Sequence, residues 1–139
     1  MTEQERERFD EMLDAVVAEL PGHVLALIEV VPIIVDDEPP EIIVEALLAS
    51  LPAGDPTTSD HLRDELCGLH TGVPNTEKSV EEAHELPEEI RVFRRGIVAH
   101  AGGWSVPESV HEEIRITVLH EIGHHFGLDE DDLAELGYD

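Results

Sequence analysis

The segment that most constrains the fold comprises residues 105–126, which predict one long amphipathic helix. Its apolar residues recur every four positions along one stripe, made of Val110, Ile114, Val118 and Ile122. Ser105 and Glu108 have the spacing of a capping box, and Pro107 falls in the first turn, where its missing N–H costs nothing. Gly127 follows at the point where a helix C-terminus favours a left-handed residue. No other helix in the chain has such clear signals.

The rest of the chain predicts a mixture of helices and strands. Helices are predicted at residues 2–20, 41–51 and 129–136, and strands at residues 23–35 and 90–98. Residues 66–78 predict a turn or short strand that packs on the sheet, and residues 81–89 an exposed acidic stretch. Pro32 interrupts the first strand and favours a bulge or a sheet edge there. Strands before a long helix indicate an α+β fold with a small mixed sheet, and the length favours one domain over residues 1–139.

The composition is strongly acidic, with 33 Asp and Glu against 8 Lys and Arg and a formal net charge of -25. Such a charge repels phosphate backbones and anionic lipid surfaces, which argues against nucleic-acid binding and membrane docking. No apolar run approaches the roughly 18 residues of a membrane span. The charged N-terminus lacks a signal-peptide core and Cys67 has no disulfide partner, so we expect a cytoplasmic protein. The acidity itself fits adaptation to high salt, or a surface that attracts cations or basic peptides.

The predicted helix at residues 105–126 carries the motif His120-Glu121-Ile122-Gly123-His124. Two histidines at positions i and i+4 lie on one face of a helix, so both imidazoles can reach one metal ion. Zinc accepts imidazole nitrogen at about 2.0–2.1 Å, and an open catalytic site needs a third protein ligand and a water. A glutamate beside the first histidine is the group that such sites use as a base. The motif therefore predicts a zinc site formed by His120 and His124, with Glu121 as the catalytic base.

The sequence around this motif resembles the small bacterial zincin-like metallopeptidase family. The similar segments are residues 120–127 (HEIGHHFG), the following Leu133 and Leu136-Gly137-Tyr138, residues 69–74 (LHTGVP) and residues 86–95 (LPEEIRVFRR). The resemblance implies a minimal zincin-like domain that binds Zn²⁺ through His120 and His124 and uses Glu121 as general base. The third ligand of the family is an aspartate three residues after the motif glycine. That position is Glu130 here, and Asp129 beside it is the alternative ligand.

We therefore expect a zinc-dependent metallopeptidase that hydrolyses peptide bonds of peptide or protein substrates with a metal-activated water. In this fold class the substrate lies extended along an edge strand, for which residues 90–98 are the candidate. The alternative is a catalytically inactive metal-binding or protein-interaction domain on the same scaffold, which the small size of the chain favours. A third hypothesis is an acidic mimic of nucleic acid that traps a basic protein. The sequence is also compatible with a homodimer.

Several other side chains have two interpretations each. His125 points about 100° away from His124 around the helix, so we expect a hydrogen-bond partner of the site or a packing residue rather than a fourth metal ligand. Glu113 and Thr117 lie on nearly the same face as His120 and either orient its ring or are ordinary surface residues. The three arginines of residues 91–95 either guide an acidic substrate or pair with the acidic C-terminal segment. Cys67 is expected to be a buried packing residue.

Overall fold

A computed structural model of the chain describes residues 1–20, 22–71, 89–127 and 131. This part of the chain contains six helices and three strands: α1 Glu3–Glu19, α2 Gly22–Val30, β1 Ile33–Asp36, α3 Glu41–Ser50, α4 Ser59–Glu65, β2 Gly68–Thr71, β3 Glu89–Phe93, α5 Arg94–His100 and α6 Pro107–His125. The small α+β fold expected from the sequence is confirmed. Most of the exposed acidic stretch predicted at residues 81–89 and the C-terminal helix predicted at residues 129–136 lie outside the described residues. Glu89, the last residue of that stretch, is buried rather than exposed.

The sheet has three strands in the order β1-β3-β2, so β3 is the central strand. It pairs in parallel with β1, where Ile33 faces Ile90, and antiparallel with β2, where Gly68 faces Val92. Ile90 and Val92 are completely buried. The prediction that residues 90–98 form an edge strand is therefore wrong. The strand also ends at Phe93, because the backbone N–H of Arg95 donates to the carbonyl of Asp37 at 2.8 Å and the chain continues as α5.

The apolar run at residues 23–35 forms a helix followed by a short strand, so the prediction of one long strand is wrong. A run that is apolar on all sides has no period, and it suits a buried helix as well as a buried strand. In α2, Val24 is buried and Leu27 and Ile28 pack against the core. Pro32 separates the two elements, because its ring fixes the backbone and it has no N–H to continue a helix. The strand β1 starts directly after it.

The long helix α6 packs its apolar stripe against α1, α5 and two strands of the sheet. Val110, Ile114 and Val118 are completely buried and Ile122 is 2% exposed, which confirms the predicted stripe. The predicted capping box is wrong: the helix begins at Pro107, and its N-cap residue is Val106, which has no side-chain cap bond. Gly127 has a φ of 72°, as the helix-termination signal predicted. No helix in the described ranges is long and apolar enough to span a membrane.

The arginines of residues 91–95 form ion pairs with acidic residues near the sheet and the first helices. Arg94 donates to Asp10 at 2.9 Å and to Asp37 at 2.9 Å, and Arg6 donates to the same Asp37 carboxylate at 2.9 Å. The other two arginines pair with Asp36, Glu38, Asp64 and Glu89. These contacts occupy the guanidinium groups, so the interpretation that they guide an acidic substrate is not supported. The chain has few cations, and the ion pairs of these arginines connect α1, α5 and the end of β1.

Asp37 has the strongest set of such contacts, and its replacement should lower stability. Hydrogen bonds from Arg6 and Arg94 hold the pKa of the Asp37 carboxyl below its ordinary value. Because the side chain is 34% exposed, we expect Asp37→Asn to reduce the free energy of unfolding at pH 7 by about 1–2 kcal/mol. The ionised carboxylate stabilises the fold above its unfolded-state pKa, near 4. The difference between the two proteins should therefore shrink as the pH falls below about 4.

Denaturant unfolding at pH 7 and at pH 3 measures this difference. Asp14→Asn is the matched control, because Asp14 is an exposed aspartate of α1 and the change removes one negative charge from the same helix region. It corrects for the reduced self-repulsion of a chain with a net charge of -25. Equal stability of the Asp37→Asn and Asp14→Asn proteins at pH 7 would show that the arginine contacts contribute nothing.

Candidate active site

The last two turns of α6 bring the three residues of the motif to one end of the helix. His120 and His124 are one turn apart, and their ring centroids lie 4.2 Å apart with an angle of 46° between the ring planes. His124 is exposed and His120 is partly exposed, so solvent reaches both rings. The helix is anchored here because Leu119 and Ile122, on its opposite side, are buried in the core. Two imidazoles are therefore presented side by side on a rigid helix.

Strand β2 lies directly against this end of α6. A Cβ atom built on Gly68 would stand 2.9 Å from Cγ of Glu121 and 3.0 Å from Cγ2 of Thr117. The shorter of these approaches is closer than real Cβ atoms show, so a side chain at position 68 would require the Glu121 side chain to shift. The backbone of β2 thus limits where the Glu121 side chain can lie. We did not single out Gly68 from the sequence, although a glycine within a short strand is a known signal of close backbone approach.

A cleft of about 330 Å³ opens between these two elements. Its first wall is the segment Leu66, Cys67 and Gly68. Its second wall is one face of α6, formed by Glu113, Ile116, Thr117, His120 and Glu121. The candidate base and one candidate metal ligand therefore face the same space, next to a strand that is at the edge of the described sheet.

Cys67 is half-buried in the first wall of this cleft rather than in the core. Burial is the main cause that raises the pKa of the Cys67 thiol to about 11, with a contribution from the negative charges of Glu113 and Glu121 and an opposing hydrogen bond from Thr117. At neutral pH the thiol is therefore protonated and a poor nucleophile, as expected for a packing residue.

The candidate third ligands, Glu130 and Asp129, lie outside the described residues, and so does Tyr138. Within the described ranges, no group of three His, Cys, Asp or Glu side chains is placed to hold a metal ion. The donors that are described nevertheless suit zinc, because adjacent imidazoles on one helix face are its preferred nitrogen ligands and a carboxylate can complete the set.

The other side chains that the sequence predicts near the site are either packed inside the protein or line the cleft. His125 is completely buried, and its ring meets that of Phe126 edge-on at a centroid distance of 4.9 Å, which fits packing. Thr117 is 6% exposed and lies between the Cys67 thiol and the backbone of Gly68. Glu113 lines the cleft two turns before His120. Thr117 and Glu113 therefore shape the cleft in which the motif lies.

A helix with histidines at i and i+4 and a glutamate between them, packed beside a sheet edge, is the arrangement that defines the zincin class of metallopeptidases. The family model described as zincin-like metallopeptidase matches residues 28–138, well over half of the chain. The chain belongs to this family, which confirms the resemblance seen in its sequence. No curated protein matches the chain.

Proposed function

We propose that this protein is a zinc-dependent peptidase that hydrolyses peptide bonds of peptide or protein substrates. His120, His124 and Glu130 hold the zinc ion, and Glu121 is the catalytic residue. The observation that carries the proposal is the pair of imidazole rings, 4.2 Å apart at their centroids, beside a glutamate that faces the same cleft as His120. Membership of a metallopeptidase family supports the same chemistry.

The zinc ligands come from two parts of the chain. His120 and His124 supply imidazole nitrogens from α6, which ends just before Gly127 with its φ of 72°. Glu130 supplies a carboxylate in place of the family aspartate, with Asp129 as the alternative. When bound, zinc provides a Lewis acid that polarises a carbonyl oxygen and lowers the pKa of a coordinated water to about 7.

Glu121 moves the proton in this reaction. Its carboxylate accepts a proton from the water whose oxygen forms a bond to the peptide carbonyl carbon. The same carboxyl group then donates the proton to the amide nitrogen as the carbon–nitrogen bond breaks, so a carboxylic acid and an amine leave. Glu121 lines the cleft, where this transfer takes place, and the backbone of Gly68 lies next to its side chain.

The substrate lies extended along β2, not along β3 as the sequence suggested. In the described sheet β2 is an edge strand and β3 is central, so only β2 can accept another strand on the side of α6. Its backbone offers hydrogen bonds to a peptide, an interaction that gives affinity independently of the substrate side chains. A peptide on β2 passes the wall of the cleft that contains Gly68 and faces Glu121.

Metal content and peptide cleavage, measured on the full chain purified without a chelating tag, test the proposal. We expect one zinc per chain by mass spectrometry, and hydrolysis that a chelator abolishes and added zinc restores. His120→Ala and His124→Ala should each weaken zinc binding by about 100-fold or more, since each removes a direct ligand. His111→Ala is the matched control, because His111 is on the same helix but pairs with Glu19.

The possible results separate the hypotheses. A protein that takes up no zinc contradicts the proposal. A protein that binds zinc through both histidines but cleaves no peptide is the inactive metal-binding domain. Glu130→Gln and Asp129→Asn identify the third ligand, because the variant that loses zinc affinity has lost the coordinating carboxylate.

A further inference from the structure

The sheet has a second open edge, on the side away from the proposed active-site cleft. In the described sheet β1 and β2 are the two outer strands, and the cleft lies beside β2. We propose that the β1 edge is a docking site for an extended basic segment of a partner protein, which pairs with β1 as a further strand. This site takes no part in peptide hydrolysis, so neither proposal depends on the other.

The backbone of β1 has hydrogen-bonding groups that face away from the sheet. The N–H of Ile90 donates to the carbonyl of Pro32 at 3.0 Å, and Ile33 is the residue opposite Ile90 in the parallel ladder. Alternate residues of a strand bond to the same neighbour, so Ile34 bonds to β3 while the peptide groups of Ile33 and Val35 face the open edge. Those peptide groups have no backbone hydrogen bond to any described residue. An edge of this kind is a template for pairing with another strand.

An apolar groove runs beside this edge. It has a volume of about 560 Å³ and lies between β1 and the first two helices. Its apolar lining consists of Leu13 and Val17 of α1, Ile28 of α2, and Ile33 and Val35 of β1. All of these except Leu13 are only partly buried, so a strand docked on β1 covers apolar surface as well as pairing its backbone. Because side chains alternate between the two faces of a strand, every second residue of the docked segment lies over the groove.

The charge around the groove favours a basic segment over a second copy of this chain. Asp10 and Asp14 also line the groove, one turn apart on α1. Asp10 pairs with Arg94, whereas Asp14 is exposed and forms no ion pair in the described part of the chain. Two copies joined through β1 would bring both pairs of aspartates toward each other in chains of net charge -25, which is unfavourable. The same charge attracts a segment that carries lysine or arginine beside its apolar residues.

Titration of matched peptides into isotope-labelled Glu121→Gln protein, followed by nuclear magnetic resonance, tests the proposal without turnover. The probe is the capped peptide Lys-Thr-Val-Thr-Val-Thr-Lys, whose valines and lysines share one face of a strand. It should bind about 10-fold or more tightly than the peptides with Glu for both lysines or Ser for both valines. N-methylation of the valines and the central threonine removes the N–H donors and should weaken binding by a similar factor. Equal affinities of the lysine and glutamate peptides, or no binding by any of them, overturn the proposal.

The protein side of the contact is tested by reversing one charge. Asp14→Lys should weaken binding of the lysine peptide by about 10-fold and strengthen binding of the glutamate peptide. Glu45→Lys is the matched control, because Glu45 is an exposed residue of α3 that does not line the groove and the net charge changes equally. The amide signals of Ile33 and Val35 should shift on binding, and that of Leu69 in β2 should not. Equal effects of the two variants, or shifts confined to β2, contradict the assignment of this edge.

Hydrogen exchange distinguishes a basic partner from a second copy of the chain. In the protein alone, the outward-facing amides of Ile33 and Val35 should exchange equally fast at all protein concentrations, and the lysine peptide should slow their exchange. Protection of these amides that grows with protein concentration in the absence of peptide would show that β1 pairs with β1 of another copy. That result overturns the proposal of a basic segment.

Discussion

The Glu121→Gln protein should hydrolyse peptides about 10²–10⁴-fold more slowly than the wild-type protein, which is the usual contribution of a general base. Glutamine has the same size as glutamate and can occupy the same contact with Gly68, but its amide cannot accept a proton from water. Zinc content and circular dichroism should therefore stay unchanged while kcat falls. Initial rates with a peptide that the wild-type protein cleaves, at saturating and limiting concentrations, measure kcat and kcat/KM separately.

Glu108→Gln is the control for this substitution. Glu108 is an exposed glutamate in the first turn of the same helix, far along α6 from the motif, so its replacement changes the charge equally without reaching the cleft. Its rates should equal those of the wild-type protein. A Glu121→Gln protein that cleaves as fast as Glu108→Gln contradicts the assignment of the general base. The candidate ligands then hold a metal that acts with another proton acceptor.

The features that the sequence predicts best are those set by local periodicity. The stripe through Val110, Ile114, Val118 and Ile122 is buried as its spacing of four indicates, because a helix repeats every 3.6 residues whatever it packs against. The motif of His120, Glu121 and His124 lies on the same helix, so its geometry follows from the same repeat. The side-by-side imidazoles are therefore predictable from the sequence alone.

Features that depend on neighbours distant in the chain were not predictable in this way. The apolar run of α2 has no period that separates helix from strand, and packing against the core decides between them. The central position of β3 depends on pairing with both β1 and β2, which no local pattern in the chain specifies. The start of α6 was also not predictable, because the capping-box spacing at Ser105 does not by itself determine where the helix begins, and the N-cap residue is Val106.

The cleft itself also depends on long-range contacts. Gly68 faces Glu121 only because β2 pairs with β3, and β3 in turn packs on α6. The sequence pattern indicates that Gly68 allows a close backbone approach, but it does not show that Glu121 is the neighbouring side chain. Glu113 is similar, since its spacing from His120 places it on the same helix face but does not show that Leu66 and Cys67 stand opposite. The candidate catalytic residues thus follow from local sequence, whereas the cleft beside them depends on the tertiary structure.

Gly96→Ala should be among the most destabilising single substitutions in the chain. Gly96 is a buried residue of α5, and a Cβ atom there would overlap the backbone oxygen of Leu66 and stand 2.6 Å from its carbonyl carbon. Both atoms belong to the main chain, which cannot rotate away as a side chain would. We expect the free energy of unfolding to fall by about 3 kcal/mol, the upper end of the usual cost of overpacking, and the Tm by roughly 10 °C.

Thermal and denaturant unfolding of Gly96→Ala and Gly22→Ala measure this cost. Gly22 is the matched control, because it is also a helical glycine and an added Cβ meets nothing within 4 Å. Its replacement should be neutral or stabilise the protein by about 0.4–1 kcal/mol, since alanine restricts the unfolded chain.

Relief of the clash at Gly96 requires Leu66 and Cys67 to move, and both residues form the first wall of the cleft. Burial is the main cause of the raised Cys67 pKa, so the displaced thiol should also be alkylated faster than in the wild-type protein. Equal stability of the two alanine variants would show that α5 does not pack tightly against Leu66 and Cys67.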